Sequence, residues 1–483
     1  MELSRRAMLG SGLALLAGGA ASRAGQAQEA SAYGAALTGQ GITSTLARFL
    51  SGIRYEDLSP EALHQARRAV LDWVGCALAG STHPTVGLLL ATFDELGSVP
   101  MATVLGHGGR KLSLLDAAVA NGQMGHILDF DDTHLGGVIL HTSTATLPAL
   151  FALGERNHSS GRDVMVALAA AFEAGIRVGH GATSHHLGGW HLTGTLGTVA
   201  AAAGSARLLR LDAQQTTCAL GIACTQASGM QQNRGSDCKS LHAGKSAYHG
   251  VLASTLASKG FNSSPEILEG SLGFTKIFSA TQQNRVIVDG LGRTWMIAGN
   301  GYKPYACGVV LHPLIDAMIG VSRKAGQPAA DVARVEVLVH PDVIRITGVD
   351  TPNSGLMSKF SANHAAAVAY IDRAAGVVQF TNERSADAAV QALRTLVVVT
   401  PDPSFRLDQS AAIVRTKTGS TYDVQVAHAT GTVDNPMSDQ ALREKFLGNA
   451  TPVIGVDRAR RVIGMTEKLE TVSDIGDLVR VGG

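Results

Sequence analysis

Alanine-rich segments with helical spacing fill the greater part of the chain and constrain its fold more than any other feature. Ser59-Pro60-Glu61 is typical of a helix start, because serine caps the helix, proline fits its first turn and glutamate favours its positive end. Apolar residues then recur at helical spacing from Leu63 to Ala77. Similar segments follow at Leu115–Leu128, Ala145–Gly154, Val164–Val178, Thr195–Leu209 and Ser246–Ser258. We therefore predict an all-helical domain over residues 40–300.

Beyond Gly301 the apolar spacing changes to the period of two that is typical of strands. Val335, Val337 and Val339 follow this spacing and predict an edge strand. Further strands are predicted at Leu396–Thr400, Ile413–Thr418 and Thr421–Val426, and the last two form a hairpin around Gly419-Ser420. Helices are predicted at Ala362–Asp372 and Ala386–Leu393. A smaller α+β domain is therefore predicted over residues 301–434. Helical spacing returns after the capping residue Ser438, and we expect helices over residues 435–475 to return to the first domain. The predicted fold is mainly α, with a large discontinuous helical domain.

The first thirty residues have the pattern of an export signal. Arg5-Arg6 precedes an apolar stretch, Ala7–Ala21, and small residues at Gly25–Ala27 suit a cleavage site. The stretch has about 15 residues, fewer than the roughly 20 that span a bilayer as a helix. Paired arginines before such a segment are typical of twin-arginine export. We expect a periplasmic protein with no membrane association after signal removal, or a cytoplasmic one if the signal is not used.

Charge and cysteine usage exclude several classes of function. Only 16% of the residues are charged, against about 25% in ordinary soluble proteins, which points to extensive buried surface and a large subunit interface. The net charge of +1, without a basic run, argues against nucleic-acid binding. The five cysteines form no C-x-x-C pair, which argues against a disulfide framework and a zinc site.

Histidine density indicates where the chemistry lies. Ten of the 17 histidines fall between His126 and His249, and histidine is the side chain most easily tuned to exchange protons near neutral pH. Four clusters stand out: His126–His134 with His141 after it, Gly188–Gly194 around His191, Asp237–Lys245 around Lys239, and Gly301–Cys307 around Lys303. The first contains three carboxylates within four residues, which repel one another unless cations, a metal or helix N-termini pair with them. The last lies at the predicted domain boundary, where ligand clefts form.

Taken together, these motifs resemble the MmgE/PrpD family, which includes 2-methylcitrate dehydratases, cis-aconitate decarboxylases and iminodisuccinate epimerases. The resemblance rests on LDFDDTH at Leu128–His134, GWHLTGT at Gly189–Thr195, KSLHAGKSA at Lys239–Ala247, GFNSSPEILEG at Gly260–Gly270, KPYACG at Lys303–Gly308, KFS at Lys359–Ser361 and NPMSDQALREKF at Asn435–Phe446. It extends from about Ser44 to about Leu469. The chain departs from the usual pattern at Thr142 and Ala306, where proline is common, and in its export signal.

The resemblance implies an all-helical domain with an α+β lid, a homodimer, and no metal or other cofactor. The positions that it implies to be catalytic are Asp129, Thr133, His141, His191, Lys239 and Lys303. The positions expected to contact substrate are Asp132, His134, His242 and Tyr302.

The residue types suit the chemistry of these activities, all of which develop negative charge at a carbon beside a carboxylate. Cations and hydrogen bonds aimed at that carboxylate stabilise the charge, a task that suits Lys239 and Lys303. His141 or His191 can move the proton. We therefore predict a cofactor-independent lyase acting on a small di- or tricarboxylic acid, like 2-methylcitrate dehydratase or cis-aconitate decarboxylase. The alternatives are an epimerase of an amino or imino dicarboxylate such as iminodisuccinate, a non-catalytic exported carboxylate-binding protein, and a magnesium enzyme using the aspartates.

Overall fold

A computed structural model describes residues 41–483, and the predicted export signal lies outside them. The fold is mainly α with a smaller α+β part, as predicted. The α-helices are α1 (Ile42–Gly52), α2 (Pro60–Gly80), α3 (Pro84–Glu95), α4 (Leu114–Ile127), α5 (Thr142–Asn157), α6 (Gly161–Gly181), α7 (Leu192–Leu208), α8 (Ala213–Cys224), α9 (Asp237–Ser258), α10 (Phe274–Phe278), α11 (His312–Ala325), α12 (Pro341–Thr347), α13 (Gly355–Ser358), α14 (Ala362–Asp372), α15 (Asn382–Ala386), α16 (Ala388–Arg394), α17 (Asp439–Ile454), α18 (Val456–Glu467) and α19 (Ile475–Gly482). The strands are β1 (Ala102–Thr103), β2 (Lys111–Leu112), β3 (Thr133–His134), β4 (Asn300–Gly301), β5 (Val332–Val339), β6 (Val397–Pro401), β7 (Ser410–Thr416) and β8 (Thr421–Val426).

The helical part forms where the apolar spacing predicts it. Helix α2 begins at Pro60, and the hydroxyl of Ser59 accepts a hydrogen bond from the backbone N–H of Ala62 at 3.1 Å. Helix α9 differs, because it begins at Asp237 and not near Ser246. Its first turns contain polar residues that face the candidate site, and these interrupt the apolar period. Within residues 41–483, α6 is long and apolar enough to cross a membrane, and 94% of its apolar window is buried inside the protein.

Two glycines let α4 and α9 cross in backbone contact. A Cβ atom on Gly122 would lie 2.5 Å from the Cα atom of Gly244 and 2.7 Å from its backbone nitrogen. A Cβ atom on Gly244 would meet the carbonyl oxygen of Val119 at 2.4 Å. Any side chain at either position would push the helices apart. The crossing therefore brings the end of α4, which leads to Asp129, close to the start of α9.

The α+β part contains a four-stranded sheet with the order β6-β5-β7-β8. The prediction of an edge position for Val335, Val337 and Val339 is wrong, because β5 pairs with β6 in parallel and with β7 in antiparallel orientation. The apolar alternation in β5 arises because this interior strand has one buried and one partly exposed face. The predicted hairpin is confirmed as β7 and β8, joined through Gly419 with a φ of 90°.

The C-terminal helix α17 packs on α2 through charged and apolar contacts. The ammonium group of Lys445 lies 2.6 Å from a carboxylate oxygen of Asp72, and both side chains are buried. The ring of Phe446 fits over Gly75, whose missing Cβ would lie 2.9 Å from it. Ser438 caps α17 by accepting from the backbone N–H of Ala441, as the sequence predicts.

Candidate active site

An aspartate held between two lysines lies at the centre of the candidate site. Asp129 follows the end of α4 with a φ of 50°, a left-handed conformation that aspartate tolerates better than most residues. One carboxylate oxygen accepts from Nζ of Lys303 at 2.5 Å, and the other lies 3.1 Å from Nζ of Lys239. Burial opposes ionisation of Asp129, but the two lysine charges outweigh it and hold the pKa of this carboxyl well below its usual range.

A short β ladder brings these residues together from distant parts of the chain. Strand β3 pairs with β4 so that Thr133 lies opposite Gly301, two residues before Lys303. The pairing joins the loop after α4 to the segment that enters the α+β part. Lys239 comes from the first turn of α9. Three separate segments therefore meet at one carboxylate.

Asp131 orients two histidines beside this centre. Its carboxylate oxygens lie 2.9 Å from Nδ1 of His126 and 3.2 Å from Nδ1 of His141. Both Nδ1 atoms therefore act as donors, and the Nε2 lone pairs of both rings are left to accept or bind a proton. Burial lowers the pKa of His126 to about 3 and also lowers that of His141, so both rings are neutral at pH 7.

His191 completes a group of three imidazoles. Its Nδ1 lies 2.9 Å from Nδ1 of His242, so one of the two rings donates and the other accepts. The ring of His191 stacks on that of His126 at a centroid distance of 5.8 Å. Burial lowers the pKa of His191 well below its usual value, with Lys239 as the next cause. His191 is a catalytic candidate, and its contact with His242 fixes the orientation of its ring.

The same three histidines are one of two groups of described residues that could hold a metal ion, and the other is Asp408, His428 and Asp434. One ring nitrogen from each of His126, His141 and His191 lies within 4.8 Å of the others. Three imidazoles would suit zinc, and the carboxylate of Asp131 would orient two of them. The ammonium group of Lys239 opposes this, because it lowers the proton affinity of the neighbouring rings by repulsion and acts in the same direction on a metal cation. The expected absence of a metal stays a prediction.

A cavity of about 60 Å³ lies against these groups, and we call it the head chamber. It is lined by Asp129, Ile139, His141, His186, His191, Arg234, Lys239, Gly308, Val309, Val310, Ile346 and Phe360. Two cations, Arg234 and Lys239, face a single carboxylate there. Burial lowers the pKa of Arg234, and repulsion from Arg345 adds to this effect. The excess of positive charge suits an anionic ligand.

Lys359 supports the loop that carries Asp129. Its ammonium group donates to the carbonyl oxygens of Leu128 and Ala306, both at 2.7 Å. Burial lowers its pKa to about 8. The side chain is buried and belongs to the α+β part, so it joins that part to the end of α4.

The other predicted site residues lie outside the head chamber. The carboxylate of Asp132 accepts from Ser143 and from Asn300, both at 2.5 Å, and burial raises its pKa well above the usual value. His134 contacts the carbonyl of Val138 through Nδ1 at 3.2 Å.

The hydroxyl of Tyr302 donates to the side chain of Gln65 at 2.9 Å. Thr133 lies 3.1 Å from Nδ1 of His141 and, with Lys303, lines a larger neighbouring cavity.

Four residues of the site were not singled out from the sequence as site residues: His126, Asp131, Arg234 and Lys359. The first two lie inside the His126–His134 cluster, and their spacing of five residues across a helix end was the available signal. Lys359 lies in the KFS motif at Lys359–Ser361, but that motif alone does not show its contact with the loop that carries Asp129. Arg234 has no comparable signal, because a single basic residue in a polar segment is ordinary on a protein surface, and only its tertiary contacts identify it.

Comparisons with known proteins identify relatives over most of the chain. The MmgE/PrpD N-terminal domain matches residues 44–287, and the MmgE/PrpD C-terminal domain matches residues 305–471. A cis-aconitate decarboxylase-like protein, oryM of Aspergillus oryzae, is 28% identical over 468 residues, covering 91% of this chain and 96% of the relative. Cis-aconitate decarboxylases of Aspergillus terreus and Homo sapiens are each 27% identical, over 91% and 90% of this chain and 96% and 92% of their own lengths.

Decarboxylases are lyases, so these relatives support the class of enzyme predicted from the sequence. The two domain matches together cover most of the chain and include the segments that carry Asp129, His141, His191 and Lys239. The chain belongs to the MmgE/PrpD family.

Proposed function

We propose that this chain is a cofactor-independent lyase that decarboxylates a small unsaturated tricarboxylic acid of the cis-aconitate type. Dehydration of an acid of the 2-methylcitrate type is the alternative within the same site. The proposal is carried by one observation: Lys239 and Arg234 line a chamber together with His141, whose Nδ1 contacts Asp131 and whose Nε2 is left to exchange a proton. Related proteins named cis-aconitate decarboxylase support the substrate class.

The cations of the head chamber bind the substrate carboxylates. Lys239 already pairs with Asp129, so a substrate carboxylate entering beside it shares an ammonium group that is fixed in position. Arg234 supplies a planar guanidinium that suits bidentate contact with a second carboxylate. Lys303 holds Asp129 from the opposite side and keeps the pair of charges in place. The site is thus charged and prepared before the substrate arrives.

His141 is the proton donor in this proposal. Its pKa is low in the empty chamber, and substrate carboxylates beside it raise the pKa by favouring the charged form. Asp131 accepts from Nδ1 and stabilises the resulting imidazolium. The Nε2 proton then passes to one alkene carbon. The bond to the departing carboxylate breaks, its electron pair forms a new carbon–carbon double bond at the neighbouring carbon, and carbon dioxide leaves.

The reaction is tested by incubating the purified protein in deuterated water with cis-aconitate, 2-methylcitrate and related acids, followed by proton NMR. We expect loss of carbon dioxide with one deuterium incorporated into the product. Loss of water from a hydroxy acid would select the dehydratase alternative. Deuterium exchange without loss of either molecule would overturn the lyase assignment and indicate an epimerase.

Two substitutions test the assigned residues. Lys239→Met removes a cation from the chamber, and loss of one such electrostatic contact costs about 100-fold or more in kcat. His141→Asn keeps a hydrogen-bonding group but has no proton to transfer at neutral pH, so deuterium incorporation should disappear. His364→Asn is the matched control, because His364 is a buried histidine of the α+β part that does not line the chamber. Near wild-type turnover by folded Lys239→Met and His141→Asn variants would refute the assignment.

A further inference from the structure

A groove of about 330 Å³ lies between α2 and the C-terminal helices α17 and α18, and we call it the basic groove. Its volume is at the lower end of the range of about 300–1,000 Å³ that is usual for small-molecule sites. The described residues that line it include none of those assigned to the candidate active site. Leu71 and Leu442 form an apolar part of its wall, which suits an organic group.

Cationic side chains reach the basic groove from three elements of the fold. Arg67 and Arg68 belong to α2, Arg443 belongs to α17, and Lys468 follows the end of α18. The four residues come together only when the C-terminal helices pack on α2. Their donors therefore point into the groove from different directions.

Several hydrogen-bond donors of these cations are unused. Arg67 donates from Nε to Glu470 at 2.9 Å, and Arg443 donates from Nε to Glu467 at 2.5 Å. The Nη groups of both arginines have no hydrogen-bond partner among the described residues. Lys468 is exposed, and its ammonium group likewise has no partner within residues 41–483. The basic groove thus offers more donors than its own carboxylates accept.

Arg68 is the buried member of this group. Its side chain is 9% exposed, and its Nη groups donate to the carboxylate of Asp439 and to the carbonyl oxygen of Met437. Its Nε is buried and has no hydrogen-bond partner in the part of the chain that the structure describes. A buried donor without a partner costs free energy, so an anion that draws this guanidinium toward the groove is favoured.

Charge and geometry together indicate the class of ligand. The four cations face three carboxylates, which leaves a net positive charge; the carboxylates are those of Asp439, Glu467 and Glu470. Guanidinium groups bind both carboxylate and phosphate in bidentate contacts. A carboxylate is planar, whereas a phosphate group presents three acceptor oxygens in different directions. We propose that the basic groove binds a small organic phosphate monoester.

Arg68 connects the basic groove to the candidate active site. Its guanidinium carbon lies 4.6 Å from the centre of the Tyr302 ring. Tyr302 precedes Lys303, which holds Asp129. An anion that neutralises Arg68 weakens the cation–π attraction to Tyr302, and Lys303 is then held less firmly. The bound phosphate monoester therefore lowers turnover from a site outside the head chamber.

Calorimetry with butyl phosphate, inorganic phosphate, butanol and succinate tests the site. Butyl phosphate should bind more tightly than inorganic phosphate because of the apolar wall, and butanol should not bind. Lys468→Glu should weaken butyl phosphate binding about tenfold or more, because a contacting cation becomes an anion. Succinate binding should be unchanged in this variant. Lys417→Glu is the matched control, because Lys417 is an exposed lysine of the turn between β7 and β8.

The binding measurement does not use turnover, so it is independent of the proposed lyase activity. Equal affinities of the wild type, Lys468→Glu and Lys417→Glu for butyl phosphate would overturn the site. Succinate binding that depends on Lys468 as strongly as butyl phosphate binding does would overturn the phosphate assignment. Saturating butyl phosphate should lower the turnover of the wild type about fivefold, at the lower end of the usual coupling between sites, and should not affect Lys468→Glu. Unchanged wild-type turnover, or equal inhibition of the variant, would overturn the inhibitory role.

Discussion

Removing the charge of Lys445 should destabilise the protein strongly, because it leaves Asp72 buried without a cation. The two groups are 2.6 Å apart, and their side chains are 5% and 0% exposed. At an effective dielectric constant of about 20, that separation corresponds to an attraction of about 6 kcal/mol. Measured losses on breaking a buried pair are about 3–5 kcal/mol, because the remaining charge relaxes or takes up a proton. We therefore expect Lys445→Met to lower the free energy of unfolding by about 4 kcal/mol.

Urea unfolding followed by tryptophan fluorescence measures this loss. The midpoint should fall without a change in the denaturant slope. Burial is the main influence on Asp72 and raises its pKa, and the variant loses the opposing charge of Lys445. In the folded variant Asp72 keeps its proton at pH values where the unfolded chain has already released it. The stability of the variant therefore falls as the pH rises. The gap between variant and wild type should be wider at pH 8 than at pH 5.5.

The double variant Asp72→Asn with Lys445→Met is the control for this explanation. Removing both charges avoids an uncompensated buried ion, so the double variant should be more stable than Lys445→Met alone. A double variant whose loss equals the sum of the two single losses would refute the reasoning.

The other predictions concern acid stability, helix packing, export and assembly. Burial lowers the pKa of His126 and His312 to about 3, so below about pH 6.5 the unfolded chain binds protons that the folded chain does not. The free energy of unfolding should therefore fall from pH 7 to pH 5, by about 1.4 kcal/mol per pH unit for each such histidine. Urea midpoints should fall with it. Gly244→Val should force α4 and α9 apart and reduce turnover more than Gly448→Val, whose missing Cβ meets open space. Replacing both Arg5 and Arg6 by lysine should hold the protein in the cytoplasm in cell fractionation, and continued export would exclude the twin-arginine route. Light scattering at micromolar concentration should give the mass of a dimer, and a monomer would contradict the interface inferred from the low charge content.

Local patterns predict the helices well, because capping and apolar spacing are properties of adjacent residues. Ser59 and Ser438 cap the helices that the sequence assigns to them. The position of β5 in its sheet depends on which strands pair with it, and alternation alone does not report that. The start of α9 was missed for a related reason, since Lys239 and His242 are buried by tertiary contacts that the helical period does not anticipate.

The candidate site was predictable where its chemistry lies in contiguous motifs. Asp129 and Lys239 belong to two such motifs, and the structure joins them in one ion pair. Arg234 lines the chamber from a loop whose composition is ordinary. Lys359, from the α+β part, donates to the carbonyl oxygen of Leu128 beside Asp129. Tyr302 lies beside Lys303 in the sequence, but its hydroxyl contacts Gln65 of α2.

The glycine contact between α4 and α9 has a consequence for how substrate preference can diverge on this fold. Because Gly122 and Gly244 fix the spacing of these helices by backbone contact, the distance from Asp129 to Lys239 is insensitive to the size of nearby side chains. Ile139, Val309 and Val310 lie on loops and a short 3₁₀ turn, where changes in side-chain volume are not transmitted to that ion pair. Relatives with different substrates should therefore vary at these wall positions while the two glycines stay unchanged. Laboratory selection for longer or shorter acids should find its first successful mutations at the same three residues.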